Sequence, residues 1–216
     1  TSTIKATAIA AFGEYTYTNN PNLAIHADGV TTDIFNGKAT MEGYKQAGMP
    51  QQAYSAGLEY RDPKFWWIGA NVNYLSNNYL DVAPLLRTSQ FITNSDEANF
   101  PYDAATAASF LAQEKFDAFT LVNLVGGKTW RIKEKTLGLF ANVNNVFDIV
   151  YKTGGFEQSR KATYPDYLAD NTTQVLLNPD IPANGAIQLD SAQPSFGPKY
   201  FYGYGRTYFV NFYINF

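Results

Sequence analysis

The sequence predicts an all-β chain, an antiparallel transmembrane β-barrel segment made of about six carboxy-terminal strands of a larger barrel. Three observations carry this prediction. Apolar and polar residues alternate with a period of two in about six separate segments. The connections between those segments alternate between short turns and long polar excursions. The chain ends on an unbroken apolar alternation of Tyr208, Val210, Phe212, Ile214 and Phe216.

Composition sets the background. Hydrophobic types make up 45% of the 216 residues and charged types 16%, a balance too apolar for a disordered chain. Gly, Tyr and Phe occur sixteen times each, against one His and two Met, which suits β architecture better than helical architecture. A formal charge of -3 with no Lys/Arg run argues against a nucleic-acid partner. The lack of cysteine removes disulfides, thiolate metal sites and cysteine nucleophiles. No run approaches the roughly 20 apolar residues of a membrane helix, and the first residues lack the apolar core of a signal peptide. Strands that cross a membrane never build such a run, because their lumen-facing positions are polar.

The first segment, 2–17, places Ile4, Ala6, Ala8, Ala10 and Phe12 on one face, with Ile9 and Ala11 blurring the alternation. In the second, 51–60, Tyr54, Ala56, Leu58 and Tyr60 alternate with Ala53, Ser55, Gly57 and Glu59. The third, 64–75, sets Trp66, Ile68, Ala70, Val72 and Tyr74 against Trp67, Gly69, Asn71, Asn73 and Leu75. The fourth, 116–130, is mixed and its facing is open. The fifth, 135–146, opposes Leu137, Leu139, Ala141 and Val143 to Gly138, Phe140, Asn142 and Asn144. The terminal strand, 200–216, has Phe209 as its single misfit.

Arg61-Asp62-Pro63 and the charged bend 131–134 read as hairpin turns. The excursions 18–50, 76–115 and 147–199 are polar, rich in Pro, Gly, Asn and Asp, and without obvious regular structure. Connections of roughly 30 to 50 residues fit a soluble sandwich poorly. Barrels of the bacterial outer membrane have short periplasmic turns and long external loops. The chain is therefore expected to enter from the periplasmic side and to return Phe216 there. Ala104, Ala105, Ala107, Ala108 and Leu111 favour a helical turn or two within 102–116.

Six strands are too few to close, since single-chain outer-membrane barrels start at about eight. An open edge in lipid leaves backbone groups unpaired at several kcal/mol each. Residues 1–216 are thus expected to be the carboxy-terminal part of one barrel domain, or to complete a barrel with other chains.

The final strand, ending in Phe216 with Ile214, Phe212, Val210 and Tyr208 at every second position, resembles the assembly signal of outer-membrane proteins. Asn144, Asn145, Phe147 and Asp148, followed by Tyr151, resemble the element closing the penultimate strand of TonB-dependent outer-membrane receptors. Gly205 and Arg206 before Tyr208 resemble their lead into the last strand, and 151–157 with 196–204 sharpen the likeness to the Bacteroidetes type. The resemblance implies a barrel of about 22 strands, embedded in outer-membrane lipid and plugged by an amino-terminal domain absent from this chain. It implies active uptake of a nutrient ligand, powered by the TonB complex acting on the plug, with a surface lipoprotein lid as a further partner. This segment would supply barrel wall, closure and three extracellular loops. A plug-free porin-like barrel and a soluble β-rich binding domain remain alternatives.

No chemistry stands out. His26 has no second His or Cys beside it for a transition-metal site. Ser95-Asp96-Glu97 and the acidic stretch 166–170 lack the spacing of a calcium loop. No hydrolase, zincin or phosphate-loop motif occurs, so neither an enzyme nor a cofactor is expected. Phe35, Tyr44, Phe91, Phe100, Tyr102, Phe110, Phe156, Tyr164 and Tyr167 in the loops could stack on a ligand or, more simply, on one another. Arg206, Tyr204 and Tyr202 suit an interfacial belt.

Overall fold

The computed structural model describes residues 2–26, 28–33, 35–93, 101–157, 162–173 and 197–216. Along the chain come β1 (Thr3–Phe12), β2 (Asn22–Ile25), β3 (Phe35–Lys38), β4 (Gln52–Asp62) and β5 (Trp66–Ser76). Two 3-10 turns, Pro84–Arg87 and Ser89–Ile92, precede α1 (Ala104–Phe110). Then follow β6 (Phe119–Ile132), β7 (Lys135–Asn144), β8 (Lys152–Phe156), α2 (Tyr164–Thr173), β9 (Lys199–Tyr202) and β10 (Thr207–Asn215).

The period-two segments assemble into a six-stranded sheet of order β1-β4-β5-β6-β7-β10, antiparallel at every step. The sheet is open: β1 and β10 are its two edges and do not pair with each other. The chain is thus mostly antiparallel β-structure with few helices. No described helix is long and apolar enough to cross a membrane, which has no bearing on crossing by strands.

Both short connections are tight. At the first, Phe65 donates to the Asp62 carbonyl (3.1 Å) and sits at φ 62, while Lys64 N–H donates to Asp62 Oδ1 (2.8 Å). At the second, Ile132 pairs directly with Lys135, and Lys133 takes the left-handed φ of 56.

Among the described residues the long connections carry regular structure, contrary to the expectation from their composition. The first carries the β2–β3 pair, the second both 3-10 turns and α1, and the third α2 and the antiparallel β8–β9 pair. The expected helical turns within 102–116 are α1, whose N-cap Asp103 accepts from Thr106 N–H (2.8 Å). The terminal strand also differs from its expected extent. Residues 200–202 belong to β9, and the chain leaves the strand at 203–206 because Gly203 N–H and Arg206 N–H donate to Tyr151 O and Asp148 Oδ1 (3.0 and 2.6 Å). Likewise β1 ends at Phe12, where Gly13 N–H turns to the Gln51 carbonyl (2.9 Å).

Burial is distributed unusually. Among the described residues, every buried hydrophobic side chain lies in the long connections and none in the six-stranded sheet. One cluster gathers Ala83, Leu86, Phe91, Ala107, Tyr164 and Tyr167; another joins Ala39, Met41 and Val82. Within the sheet, packing takes a different form, rings lying over glycines. Trp67 faces Gly127 and Tyr213 faces Gly138 across neighbouring strands, and in each case a Cβ would run into the ring.

Gly138→Ala is expected to displace the Tyr213 ring and lower stability by about 1–3 kcal/mol. Tyr213→Ala in the same chain should remove most of that penalty. Urea unfolding midpoints of the two single variants and the double variant decide it, since strictly additive losses would rule out the contact.

Candidate functional site

Register gives the sheet two unlike faces. On one, Ala6, Leu58, Ala70, Leu124, Val143 and Tyr208 lie side by side across all six strands. The next row on that face is Ile4, Tyr60, Ile68, Gly126, Ala141 and Val210. The facing of the fourth segment is thereby resolved, with Val122 and Leu124 on the apolar side. These side chains stand open: Ile4 is 69% exposed, Leu58 58% and Phe212 68%. Lys128 shares this face but carries its charge off it, its Nζ donating to the Lys64 carbonyl in the short turn (2.5 Å) beside the Trp130 ring.

The opposite face is polar. Its rows include Lys5, Glu59, Gly69, Val125, Asn142 and Phe209. Asn123 Nδ2 donates to Asn71 Oδ1 (2.9 Å), and Asn123 Oδ1 accepts from Asn145 N–H (2.9 Å). Asn142 Oδ1 is buried without a hydrogen-bond partner among the described residues. A trough of about 460 Å³ runs along this face, lined by Lys5, Thr7, Glu59, Asn71, Asn123 and Asn144. Phe209, the misfit in the terminal alternation, belongs here: its ring meets Phe140 edge-on at 6.1 Å, and Phe140 lies 6.1 Å from Trp67.

The two motif segments meet at the loop end of β7 and β10. Asn145 is buried and holds φ 49, a conformation asparagine tolerates. Its Nδ2 donates to Ile149 O (2.9 Å) and Tyr204 O (3.2 Å), and its Oδ1 accepts from Ile149 N–H (3.0 Å). Asp148 accepts from Arg206 N–H, and a Cβ at Gly205 would press on that carboxylate (2.9 Å). Tyr151 covers Gly203 and stacks on Phe119 at 4.4 Å. Asn144 donates to Thr207 Oγ1 (3.2 Å). Phe147 is exposed and takes no part. Five of the seven motif residues, Asn145, Asp148, Tyr151, Gly205 and Arg206, thus form one clasp, and Asn144 extends it.

Of the terminal residues, Tyr208, Val210, Phe212 and Ile214 lie on the apolar face of β10, opposite Val143, Ala141, Leu139 and Leu137. Phe216 lies just beyond the strand with Lys135 Nζ 4.4 Å from its ring. Arg206 and Tyr204 are exposed, Arg206 reaching the Tyr208 hydroxyl at 3.5 Å.

The long connections are braced by an ion pair that sequence periodicity could not reveal. Arg87 bonds both carboxylate oxygens of Glu157, donates from Nη2 to Leu111 O (2.9 Å) and lies 4.8 Å from the Tyr44 ring centroid. Its side chain is 1% exposed and that of Glu157 10%. Desolvation works against the Arg87 charge, but the hydrogen bond and charge of Glu157 outweigh it and raise the guanidinium pKa. A raised pKa on a cation means that this stabilisation is fully present below the ordinary arginine range and is lost only above it. A second brace sets Glu114 between Lys152 Nζ (2.8 Å) and the Tyr200 hydroxyl (2.6 Å). Burial first, and Glu114 second, push the Tyr200 phenol upward.

The loop aromatics mostly take the simpler of their two roles. Phe91, Tyr102, Phe110, Tyr164 and Tyr167 contact one another edge-on or tilted at 5.3–6.2 Å. Phe35 is buried, and Phe156 lies 5.8 Å from Phe201. His26 pairs with Asp33 at 2.9 Å. No group of three His, Cys, Asp or Glu side chains gathers among the described residues. Phe100 and Ser95-Asp96-Glu97 lie outside those residues.

Asn145→Ala is expected to cost about 1–3 kcal/mol, because it takes the side-chain partner from part-buried backbone groups of 149 and 204. Asn145→Gly should recover only the backbone part, and differential scanning calorimetry of both variants separates the two contributions. Glu157→Gln leaves Arg87 buried and uncompensated, at about 3–5 kcal/mol. Trypsin should then cut the long connections faster, whereas Arg87→Met with Glu157→Leu should lose less; equal cleavage of the wild type and Glu157→Gln would refute the brace. No family model, no curated protein and no solved structure matches this chain.

Proposed function

We propose that this chain is the closing wall of an outer-membrane β-barrel, part of a TonB-dependent receptor that takes up a nutrient ligand actively. The observation that carries the reading is the uncovered apolar face of the six-stranded sheet, set against a polar opposite face. Burying one such Leu, Ile or Phe side chain is worth about 1.5–3 kcal/mol. A soluble sheet would place this face inward, and here the buried hydrophobics are elsewhere. Lipid on one side and a hydrated lumen on the other satisfy both faces at once.

The aromatic residues support the same orientation. Phe12, Tyr54, Tyr74 and Tyr208 border the apolar face at the loop end, and Tyr60, Trp66, Trp130 and Phe216 border it at the turn end. From Trp66 to Tyr74 the strand rises about 27 Å at roughly 3.4 Å per residue. At a tilt of roughly 40° that is about 20 Å between ring-bearing Cα atoms, in keeping with an apolar band of about 25 Å flanked by aromatic girdles. Lys128 turns its ammonium toward the short-turn border, as a cation beside hydrocarbon does.

Membership of the receptor class rests on the clasp between the penultimate and last strands, built from the residues that carry the resemblance. In this reading the long connections are extracellular and Phe216 is periplasmic. The open edges β1 and β10 pair with strands outside this chain, an amino-terminal plug fills the lumen, and the TonB complex acts on that plug. The segment's own contribution is structural, with a share of the ligand entrance, and no catalysis is assigned to it.

Absence of cysteine in this chain makes labelling direct. Spin labels on the full-length protein in lipid at Leu58, Val72 and Val210 should relax with oxygen, and labels at Thr7 and Asn71 with a water-soluble nickel chelate; protection of the first set from both reagents would sink the membrane reading. Leu124→Arg should cost about 2–4 kcal/mol of folding into lipid, while Thr7→Arg stays near neutral. Ligand uptake should stop when the proton gradient is collapsed, whereas gradient-independent uptake with ion conductance would point to a plug-free porin.

A further inference from the structure

We propose that the short-turn border of the apolar face docks on the headgroups of anionic phospholipids, its cations meeting lipid phosphates while its aromatic side chains meet the acyl chains beneath. Charge is concentrated at this border. Residues 59–64 and 128–135 carry Arg61, Lys64, Lys128, Arg131, Lys133 and Lys135 against Glu59, Asp62 and Glu134, net +3. The remainder of the chain holds ten Lys or Arg against sixteen Asp or Glu, net -6. Strand pairing puts both short turns at one end of the sheet, and Thr129 N–H donates to Phe65 O (2.8 Å), so the two cationic stretches are joined.

The acidic residues offset only part of this surplus. Glu59 binds Arg61 (2.6 Å), and its row lies on the polar face. Asp62 accepts from Lys64 N–H (2.8 Å) and Tyr60 O–H (2.9 Å) and balances one charge at the first turn, as Glu134 does at the second. Lys64, Lys133 and Lys135 are exposed. Each hairpin also joins its cations to rings of the apolar face: Lys128 Nζ lies 6.0 Å from the Trp130 centroid and Lys135 Nζ 4.4 Å from that of Phe216. An ammonium beside a ring at the limit of an apolar face suits the level where a bilayer passes from hydrocarbon to phosphate.

Charge selects the lipid class. A zwitterionic headgroup brings its own cation, which this border repels as it attracts the phosphate, whereas a headgroup such as phosphatidylglycerol brings phosphate alone. A water-soluble polyanion would meet the cations but leave the exposed Trp66, Trp130, Ile132 and Phe216 in water. Attraction between basic residues and an anionic surface fades within a Debye length, about 8 Å at physiological salt, so the cations of the border act and those of the long connections do not. Headgroup selection rests on the membrane embedding proposed above and adds to it a chemical preference at one border.

The test is photo-cross-linking of the full-length protein in vesicles of equal parts phosphatidylglycerol and phosphatidylcholine. Benzoylphenylalanine is placed at Ile132, on the apolar face opposite Lys135, or at Phe12, at the loop-end border of the same face, and the attached lipids are identified by mass spectrometry. Ile132 should capture phosphatidylglycerol at least about threefold over phosphatidylcholine, and Phe12 the two nearly equally. The preference should vanish at about 1 M salt, where the Debye length is about 3 Å. Lys64→Gln with Lys133→Gln and Lys135→Gln should abolish it, while Arg at the same three positions keeps it. Lys38→Gln with Lys115→Gln and Lys199→Gln, an equal loss of charge from exposed positions in the long connections, should leave it unchanged. Lipid captured at Ile132 without preference, or with a preference that survives the first triple variant, overturns headgroup selection and leaves the membrane reading standing. Capture of no lipid at either position defeats both.

Discussion

Five antiparallel ladders hold the six-stranded sheet, and the other elements depend on them because the sheet has no side-chain core of its own. Paired backbone groups give it shape, while its apolar face remains a surface to be covered. That division of labour is the reverse of a soluble sandwich, in which two inner faces interdigitate and bury each other. Here the ladder provides order, and cohesion must come from a medium or partner in contact with the apolar rows. The position of Lys128, with its stem on that face and its head at the turn, obeys the same constraint at the scale of one residue.

The connections solve the opposite problem. They are polar enough in composition to pass for solvent-exposed chain, yet they own the described hydrophobic core and a buried ion pair. Arg87 and Glu157 are far apart in sequence and come from different connections, so their bond joins the second excursion to the third, and the Tyr44 ring brings in the first. Such a pair contributes little net stability compared with apolar replacements, but breaking it from one side is costly. Its effect is to give three separate excursions one preferred arrangement, and the clasp at Asn145 and Asp148 fixes that arrangement to the ends of β7 and β10.

Legibility in the sequence followed the range of the interaction. Period-two alternation is local, so β4, β5 and β7 could be read nearly to their ends. Where alternation was mixed, as in β6, only the partner strands decide the facing: Leu124 is apolar-side because Ala70 and Val143 are. Phe209 looked like an error because its reason lies on other strands, the ring of Phe140 on β7 and behind it that of Trp67 on β5. The split of the final segment at 203–206 comes from bonds to Tyr151 and Asp148, more than fifty residues earlier. The Asn145 clasp was visible only as a motif, without its geometry. The Arg87–Glu157 brace left no sequence signal, since a single Arg and a single Glu in polar surroundings are indistinguishable from solvated charge.

Tyr213 over Gly138 has one more consequence. Alternation guards against a slip of one residue, which would exchange the faces, but it is blind to a slip of two, which keeps every side chain on its proper side. After such a slip Tyr213 would stand opposite Thr136 or Phe140, and its ring would have no vacant position to occupy. The glycine acts as a keyhole for one tooth, and it makes a single alignment of the last strand correct among several that the hydrophobic pattern alone would accept. The last strand of the sheet thereby carries its own means of proofreading.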